Sequence, residues 1–177
     1  LSTFGKNADG IKYIINTHTH GDHYNEQVCN SLTNAQFYSM SAEETMSIGK
    51  YTVTALRANH STCNEAVHFI VSDGERKLFY GLDGAWLMYG EVSAIKECGI
   101  DLAVFDATIG DFSGDRRIFE HNNLNMVIEM KYSLEKHIKR VFISHMSRTM
   151  HTSHSALVER MKPHGIEVAF DGCEIEI

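Results

Sequence analysis

The densest group of metal-ligating side chains lies near the start of the chain. Residues 18–23 read His-Thr-His-Gly-Asp-His and place three imidazoles and one carboxylate in one short loop. Side chains two apart in an extended segment point the same way, so His18 and His20 can bind one ion. The glycine that follows permits a sharp turn, after which Asp22 and His23 can face a second ion or the other side of the first. This density of nitrogen and oxygen ligands predicts a metal site.

Three further candidate ligands each follow a segment with the pattern of a β-strand. A strand that ends in a polar residue delivers that residue to one edge of a sheet, where functional loops are concentrated. The strand segments and the residues that follow them are 51–56 with His60, 77–80 with Asp83, and 141–143 with His145. We therefore expect these residues to meet the first motif, which itself follows the apolar strand segment 11–16.

The remaining pattern alternates strands and helices. Strands are also predicted at 35–39, 66–72, 101–106 and 166–170, and helices at 24–31, 41–48, 89–98, 122–137 and 154–162. The helix at 41–48 depends on Ser41 and Glu44, which have the spacing of a capping box. An Asp-Gly pair between 66–72 and 77–80 predicts a hairpin. The fold class is therefore α/β, with layers of sheet and helix.

Length and composition indicate one domain over residues 1–177. Hydrophobic residues at 43% and charged residues at 22% are ordinary globular values, and no linker-like segment divides the chain. No apolar run approaches the ~20 residues that a membrane span needs, so we expect no membrane partner. The formal net charge of −7 argues against long nucleic acid as a partner. The four cysteines are widely spaced, which makes a reducing cytoplasm the simplest location.

The first motif and the three later residues together supply seven ligands. Seven are too many for one tetrahedral zinc ion but suit two adjacent ions that share a carboxylate. The motif His-x-His-x-Asp-His, with the later residues in this order, resembles the metallo-β-lactamase superfamily of binuclear metallohydrolases. The resemblance runs from about residue 13 to the end of the chain. It implies the four-layer αββα fold of that superfamily.

The resemblance also assigns the seven residues to two divalent ions. The first ion would be held by His18, His20 and His60, the second by Asp22, His23 and His145, and Asp83 would bridge both. Zn²⁺ is the first expectation, although imidazole and carboxylate ligands also accept Mn²⁺ or Fe²⁺.

Other features are similar to the phosphodiesterase branch of the superfamily, which holds the tRNA 3′-processing ribonucleases and the cyclic phosphodiesterase associated with the carbon-phosphorus lyase pathway. They are Phe-Asp-Ala-Thr at 105–108, Glu-His-Asn at 120–122, His145, and Phe-Asp-Gly at 170–172. The resemblance implies a small-molecule or nucleotide phosphodiester as substrate and makes His121, at the predicted start of a helix, the general acid. Residues expected near the metals without binding them are Asp106, His151, His154 and Asp171.

The predicted mechanism uses a hydroxide that bridges the two metals. Two divalent ions lower the pKa of a shared water towards neutrality, and Asp22 can hold the hydroxide in line by hydrogen bonding. His121, as an imidazolium, would protonate the leaving alkoxide.

The chain departs from the superfamily at its front. A β-rich segment normally precedes the first motif, whereas only 17 residues precede His18 here. Either the chain is truncated at its front or a natural form lacks these strands, and in both cases we expect a fold that lacks part of the N-terminal β-sheet. The exposed edge of the short sheet would need a cover, and a second copy of the chain in a homodimer could supply it.

Three other functions stay open. The superfamily includes thioester and lactam hydrolases, which the metal ligands alone do not exclude. A redox di-iron centre is a second alternative, although such sites usually carry a carboxylate where His20 or His23 stands here. The third is a metal-binding domain without hydrolytic turnover.

Overall fold

Two β-sheets and four α-helices make up the structure, a computed structural model that describes residues 7–177. The strands are β1 (Tyr13–Ile15), β2 (Gln36–Tyr38), β3 (Thr45–Ile48), β4 (Tyr51–Arg57), β5 (Val67–Ser72), β6 (Lys77–Gly81), β7 (Ile100–Asp106), β8 (Ile138–Ser144) and β9 (Ile166–Val168). The helices are α1 (Glu26–Ser31), α2 (Tyr89–Cys98), α3 (Leu124–Ser133) and α4 (His154–Met161), with 3₁₀ turns at Arg116–Phe119 and Lys162–His164.

The larger sheet has seven strands in the order β3-β4-β5-β6-β7-β8-β9. Neighbours from β3 to β6 are antiparallel, and the predicted Asp-Gly hairpin joins β5 to β6. From β6 to β9 all neighbours are parallel. Strands β4, β6, β7 and β8 consequently run in the same direction, so the residues that follow them lie at one edge of the sheet.

One face of this sheet is covered by helices. Ile95 of α2, Val127 of α3 and Leu157 of α4 pack in one buried cluster with Phe79 and Phe105 of the sheet. The two phenylalanine rings lie 5.7 Å apart. Removing this apolar surface from water, at roughly 25 cal/mol per Å², holds the helices against the strands.

The other face carries the smaller sheet, in which β1 and β2 are parallel. Ile15 and Tyr38 from these strands pack against a second buried cluster that includes Val53, Ala55 and Phe69 of the large sheet. Within residues 7–177 the smaller sheet has only these two strands, each of three residues. The expectation of a short N-terminal sheet agrees with this arrangement.

The predicted helix at 41–48 is wrong, because this segment forms strand β3. The backbone N–H of Ser41 does donate to the Glu44 carboxylate at 2.9 Å, as in a capping box. However, Glu43 adopts a left-handed backbone with φ of 70°, and the chain then pairs with β4. Alternate burial of Met46 and Ile48 suits a strand, so the tertiary pairing overrides the local helix signal.

Helix α3 is shorter than predicted and begins later. Its N-cap is Asn123, whose side chain accepts a hydrogen bond from Met126 N at 2.9 Å. His121 therefore lies two residues before the cap, in the turn that precedes the helix, and not at a helical position. Helix α2 has the predicted bounds, and α4 begins at the predicted residue, with Ser153 as its N-cap.

None of the helices between residues 7 and 177 is both long and apolar enough to cross a membrane.

Candidate metal site

The seven predicted ligands converge at the edge where β4, β6 and β8 end. The donor atoms form overlapping groups, and the atoms within each group lie within 4.8 Å of one another. The groups are His18, His20, His60 and Asp83; Asp22, His23 and His145; and Asp83, Asp106, His121 and His145. The first two match the sets assigned to the two metals from the sequence. Their role as ligands stays a prediction.

Asp83 occupies the centre of the site and is almost fully buried. Its Oδ2 lies 3.0 Å from His18 Nε2, 3.1 Å from His23 Nε2 and 3.7 Å from His60 Nε2. Its Oδ1 lies 3.1 Å from His121 Nδ1. One carboxylate thus faces histidines from both predicted metal sets. Burial by itself would raise the pKa of Asp83, but the surrounding imidazoles outweigh burial and hold that pKa below its usual range.

The histidines of the first set differ in their surroundings. His18 is buried, and its Nδ1 contacts Thr17 Oγ1 at 2.9 Å, which leaves Nε2 towards Asp83. His60 Nε2 lies 3.3 Å from His20 Nδ1. Burial lowers the pKa of His18 to about 4 and also lowers the pKa of His60. Both rings are therefore neutral at pH 7, which is the form that binds a metal.

In the second set, His23 and His145 approach each other through their Nε2 atoms, 3.2 Å apart. Asp22 is mostly exposed, with its carboxylate 3.7 Å from His23 Nε2. The opposite ring atom of His145, Nδ1, lies 2.8 Å from Thr108 Oγ1 and 3.0 Å from an Asp106 carboxylate oxygen. A histidine that is held at Nδ1 by a carboxylate and leaves Nε2 free has the arrangement common among metal-binding histidines.

Asp106 contacts His121 and His145 from the interior of the protein. The end of β7 carries it into the interior, where it has no exposed surface. Its Oδ1 accepts from Thr108 N and Asn122 N, and its Oδ2 lies 3.0 Å from the Nδ1 atoms of both His121 and His145. Asp106 therefore contacts two histidines of the site, one of which is a predicted metal ligand.

The two histidines beside Asp106 have raised pKa values. Burial disfavours their charged forms, but the Asp106 carboxylate, helped by Asp83, outweighs burial and raises the pKa of both His121 and His145. His121 in particular can carry a proton near neutral pH, as a general acid must.

Two residues of the site have unusual backbones. Asp83 and His145 adopt the left-handed conformation, with φ of 62° and 57°. Only a few per cent of non-glycine residues do so, and aspartate and histidine are among the types that tolerate it best. Both follow the ends of strands, so each chain turn aims a predicted ligand back into the cluster.

Hydrogen bonds among the donor atoms do not satisfy all of the buried polar atoms of the site, whereas a bound metal ion could. His18 Nε2 and Asp83 Oδ1 are buried and form no hydrogen bond of good geometry within residues 7–177, although they lie 3.0 Å from Asp83 Oδ2 and 3.1 Å from His121 Nδ1, respectively. A buried polar atom that is poorly paired destabilises a fold by about 1–3 kcal/mol, so two such atoms at the centre of the donor groups call for a ligand. Imidazole nitrogens with one shared carboxylate suit Zn²⁺ and related divalent ions.

An open cavity of about 660 Å³ lies over the cluster. Its walls include His20, His60, His121 and His145, and Asp171 lies at its rim as expected for a residue near the metals. This volume is within the range of small-molecule sites.

The other two histidines expected near the metals lie elsewhere. His151 Nε2 contacts the backbone oxygen of Ala107 at 2.6 Å and lines a separate cavity of about 350 Å³. His154 begins α4 in an exposed position, with its ring 6.0 Å from that of Phe170. His151 thus adjoins the Asp106 segment through the backbone, and His154 belongs to none of the three donor groups.

Two buried polar residues at the site had no role in the sequence interpretation. Thr108 donates to the backbone oxygen of His145 at 2.8 Å, and Asn122 donates its amide to Gly84 O at 3.0 Å. Both residues lie within segments that the sequence analysis singled out, Phe-Asp-Ala-Thr and Glu-His-Asn, so the sequence indicated their positions but not their contacts. Nothing in the sequence indicated the contact between His68 and Glu91, which lies beneath the turn that carries Asp83.

No family model matches this chain, and no curated protein matches it by sequence. Solved structures do match. YhfI from Bacillus subtilis, described as a metallo-β-lactamase fold protein, is 13% identical with a TM-score of 0.72, covering 96% of this chain and 79% of its own. Zn²⁺-bound PqqB from Methylobacterium extorquens is 16% identical with a TM-score of 0.68, covering 94% and 73%. An isothiocyanate hydrolase from Delia radicum gut bacteria is 14% identical with a TM-score of 0.67, covering 95% and 78%.

These similarities extend over almost the whole described chain, but the identities are too low to carry an activity across. Together with the large mixed sheet, the helices on one of its faces and the smaller sheet on the other, they lead to one conclusion. The chain has the metallo-β-lactamase fold.

Proposed function

We propose that the protein is a binuclear metal-dependent hydrolase whose substrate is a phosphodiester, cyclic or nucleotide-like. The observation that carries this proposal is the position of Asp83. A single buried carboxylate lies within 3.1 Å of His18 and His23, which belong to different donor groups, beneath an open cavity. That is the arrangement expected of a carboxylate shared by two ions.

The residues that would hold the two ions are those of the first two donor groups. His18, His20 and His60 would hold one, Asp22, His23 and His145 the other, and Asp83 both. When bound, the ions would lower the pKa of a water between them and neutralise charge on phosphoryl oxygens. Zn²⁺ is the first candidate, and the zinc in the similarly folded PqqB supports it, while Mn²⁺ and Fe²⁺ stay open.

The chain itself would supply alignment and a proton. Asp22, exposed at the mouth of the cavity, would orient the nucleophile by hydrogen bonding. His121 has its Nδ1 between the carboxylates of Asp83 and Asp106, so its Nε2 is the atom that can deliver a proton to the leaving group. The raised pKa of His121 keeps that proton available near neutral pH.

The need for a proton donor favours a phosphodiester over a thioester. An alkoxide leaving group is strongly basic and departs far more readily when it is protonated, whereas a thiolate, with a thiol pKa near 8.5, departs without help. A buried carboxylate that raises the pKa of a histidine beside the cavity is therefore better matched to alkoxide departure.

Metal analysis combined with a substrate panel tests the proposal. The purified protein, reconstituted with Zn²⁺ or Mn²⁺, is assayed on bis(p-nitrophenyl) phosphate, a thioester and a β-lactam, with Asp83→Asn as the matched control. We expect two metal ions per chain, hydrolysis of the phosphodiester alone, and loss of that activity in the control.

Other outcomes would contradict the proposal in distinct ways. Turnover confined to the thioester or the lactam would keep the binuclear hydrolase and replace the substrate. Iron with a visible absorption band and no hydrolysis would point to a redox centre. Two metals without turnover of any substrate would leave a metal-binding domain.

A further inference from the structure

A buried, hydrogen-bonded pair of side chains lies directly beneath the turn that carries Asp83. His68 of β5 and Glu91 of α2 are each about 1% exposed, and His68 Nδ1 lies 2.6 Å from Glu91 Oε1. Neither residue belongs to any of the three donor groups, and neither lines the cavity over the metals. A buried pair of this kind contributes little net stability compared with apolar side chains, so its presence calls for another reason.

The pair contacts both ends of the Asp83 turn, which we define as residues 82–88. At its start, a methyl group added to Gly84 would lie only 2.6 Å from the ring of His68. At its end, Glu91 Oε2 accepts a hydrogen bond from Met88 N at 2.7 Å. The two side chains therefore limit where this turn can lie.

The His68 ring is itself held in place. Glu91 fixes its Nδ1, and the ring packs edge-on against Phe79 with centroids 5.8 Å apart. Its Nε2 is buried and has no hydrogen-bond partner in residues 7–177. The ring thus acts on Gly84 by its shape, since it forms no hydrogen bond to the turn through this atom.

Asn122 also donates its amide to Gly84 O at 3.0 Å. Gly84 is consequently restrained both by the His68 ring and by the Asn122 amide, one residue after the carboxylate proposed to be shared by the metals. Asp83 also has a left-handed backbone that most side chains avoid, and such a conformation persists only where the surroundings impose it.

We propose that His68 and Glu91 are positioning residues for Asp83: by confining Gly84 and Met88, they hold the shared carboxylate where both metal sets can reach it. This inference rests on the proposed binuclear site. It assigns the pair a task in metal binding through the backbone, without contact with metal or substrate.

A double-mutant cycle tests the steric contact. Gly84→Ala should push against the fixed His68 ring and displace Asp83, while His68→Ala should loosen the turn. We expect each single variant to bind metal roughly 10–100-fold more weakly, the range seen for residues that support metal ligands. Because His68→Ala opens the space that the added methyl group needs, the double variant should bind no more weakly than His68→Ala alone.

The readouts are metal affinity by chelator competition and the visible spectrum of the Co²⁺-substituted protein, alongside thermal unfolding. Met161→Ala, a fully buried change on α4, serves as the control for lost core packing. It should lower the melting temperature with normal affinity and spectrum. If the His68→Ala protein does not fold, Glu91→Gln is used in its place. The glutamine side chain has nearly the same shape as Glu91 but only one acceptor oxygen, so one of the two contacts of Glu91 is lost.

The outcomes separate this inference from the proposed function. Affinity losses that multiply in the double variant, or a His68→Ala protein that behaves like Met161→Ala, would overturn the positioning role alone. Two metals without phosphodiester turnover in the unmodified protein would overturn the proposed substrate and leave the positioning role standing. An unmodified protein that binds no metal would overturn both.

Discussion

The candidate metal site has two halves that differ in the buried contacts that support them. The large-sheet half consists of His60, Asp83 and His145, and the loop half consists of residues 18–23. His145 and Asp83 are delivered by a seven-stranded sheet, and buried side chains such as Asp106 and Asn122 hold them or their neighbours. His20, in contrast, lies on a loop after a three-residue strand. If the proposed ions bind, we expect the large-sheet half to be formed beforehand and the loop of residues 18–23 to take its final arrangement on binding.

The loop is not without structure of its own. Backbone N–H groups of His23 and Tyr24 both donate to His20 O at 2.9 Å, and Val67 N donates to Thr17 O, which ties the loop to β5. These contacts fix its path, but the Asp22 side chain is 72% exposed. The comparison therefore predicts unequal responses of the two halves to loss of metal.

Metal removal should have the largest effect. Chelation should abolish phosphodiester hydrolysis, since all of the proposed nucleophile activation depends on the ions. In hydrogen exchange, the peptide covering 18–24 should lose protection strongly, while peptides from β7 and β8 should change little. Equal loss of protection in both halves would contradict the comparison, and re-addition of Zn²⁺ provides the control for reversibility.

His20→Ala should have the next largest effect. It removes a predicted ligand from the less supported half, so we expect a metal content below two ions per chain and activity reduced by more than ~10²-fold. His154→Ala, at the exposed start of α4, is the matched control and should keep both properties. Normal metal content in the His20 variant would show that this half does not depend on its histidine.

His121→Ala should separate metal binding from turnover. The residue contacts Asp83 and Asp106, but the seven assigned ligands remain, so we expect two metals per chain. Loss of a general acid should lower kcat on a 2′,3′-cyclic nucleotide, whose leaving group is a basic alkoxide, on the order of 10²-fold or more, and much less on bis(p-nitrophenyl) phosphate, whose leaving group departs without protonation. A variant that hydrolyses the cyclic nucleotide as fast as the unmodified protein, with equal metal content, would disprove the assigned role.

Much of the large-sheet half could be predicted from the sequence because its signals are local. Strand segments that end in His60, Asp83 and His145 place those residues correctly, since alternation and β-branched content reflect burial on a sheet. The segment 41–48 shows the limit. Ser41 and Glu44 make the local contact of a capping box, yet pairing with β4, which no local pattern reveals, turns the segment into a strand.

The supporting contacts were harder to predict for the same reason. Asp106 and His121 are 15 residues apart, and His68 and Glu91 are 23 apart on different elements. Their contacts depend on how β5, β7 and the turn before α3 pack together. From the sequence alone, a histidine within a predicted strand is expected to pack in the core. Only the structure shows that Gly84 lies against the ring of His68.

Asp106→Asn should have the smallest effect of the four changes and tests the supported half directly. Oδ1 can keep its hydrogen bonds from Thr108 N and Asn122 N, but the amide nitrogen that replaces Oδ2 donates where a carboxylate accepted. His145 Nδ1 then loses its carboxylate acceptor and keeps only the Thr108 hydroxyl at 2.8 Å, so the neutral tautomer with the proton on Nε2, the atom that faces His23, becomes more favourable than in the unmodified protein. That proton blocks metal binding, so affinity for one of the two ions should fall by roughly 10–100-fold while the other stays bound.

Asp101→Asn, at the start of the same strand and bonded to Lys139, is the matched control and should bind both ions normally, as measured by titration with a metal-sensitive dye. Equal behaviour of the two variants would mean that His145 is positioned by its left-handed backbone and not by the buried carboxylate.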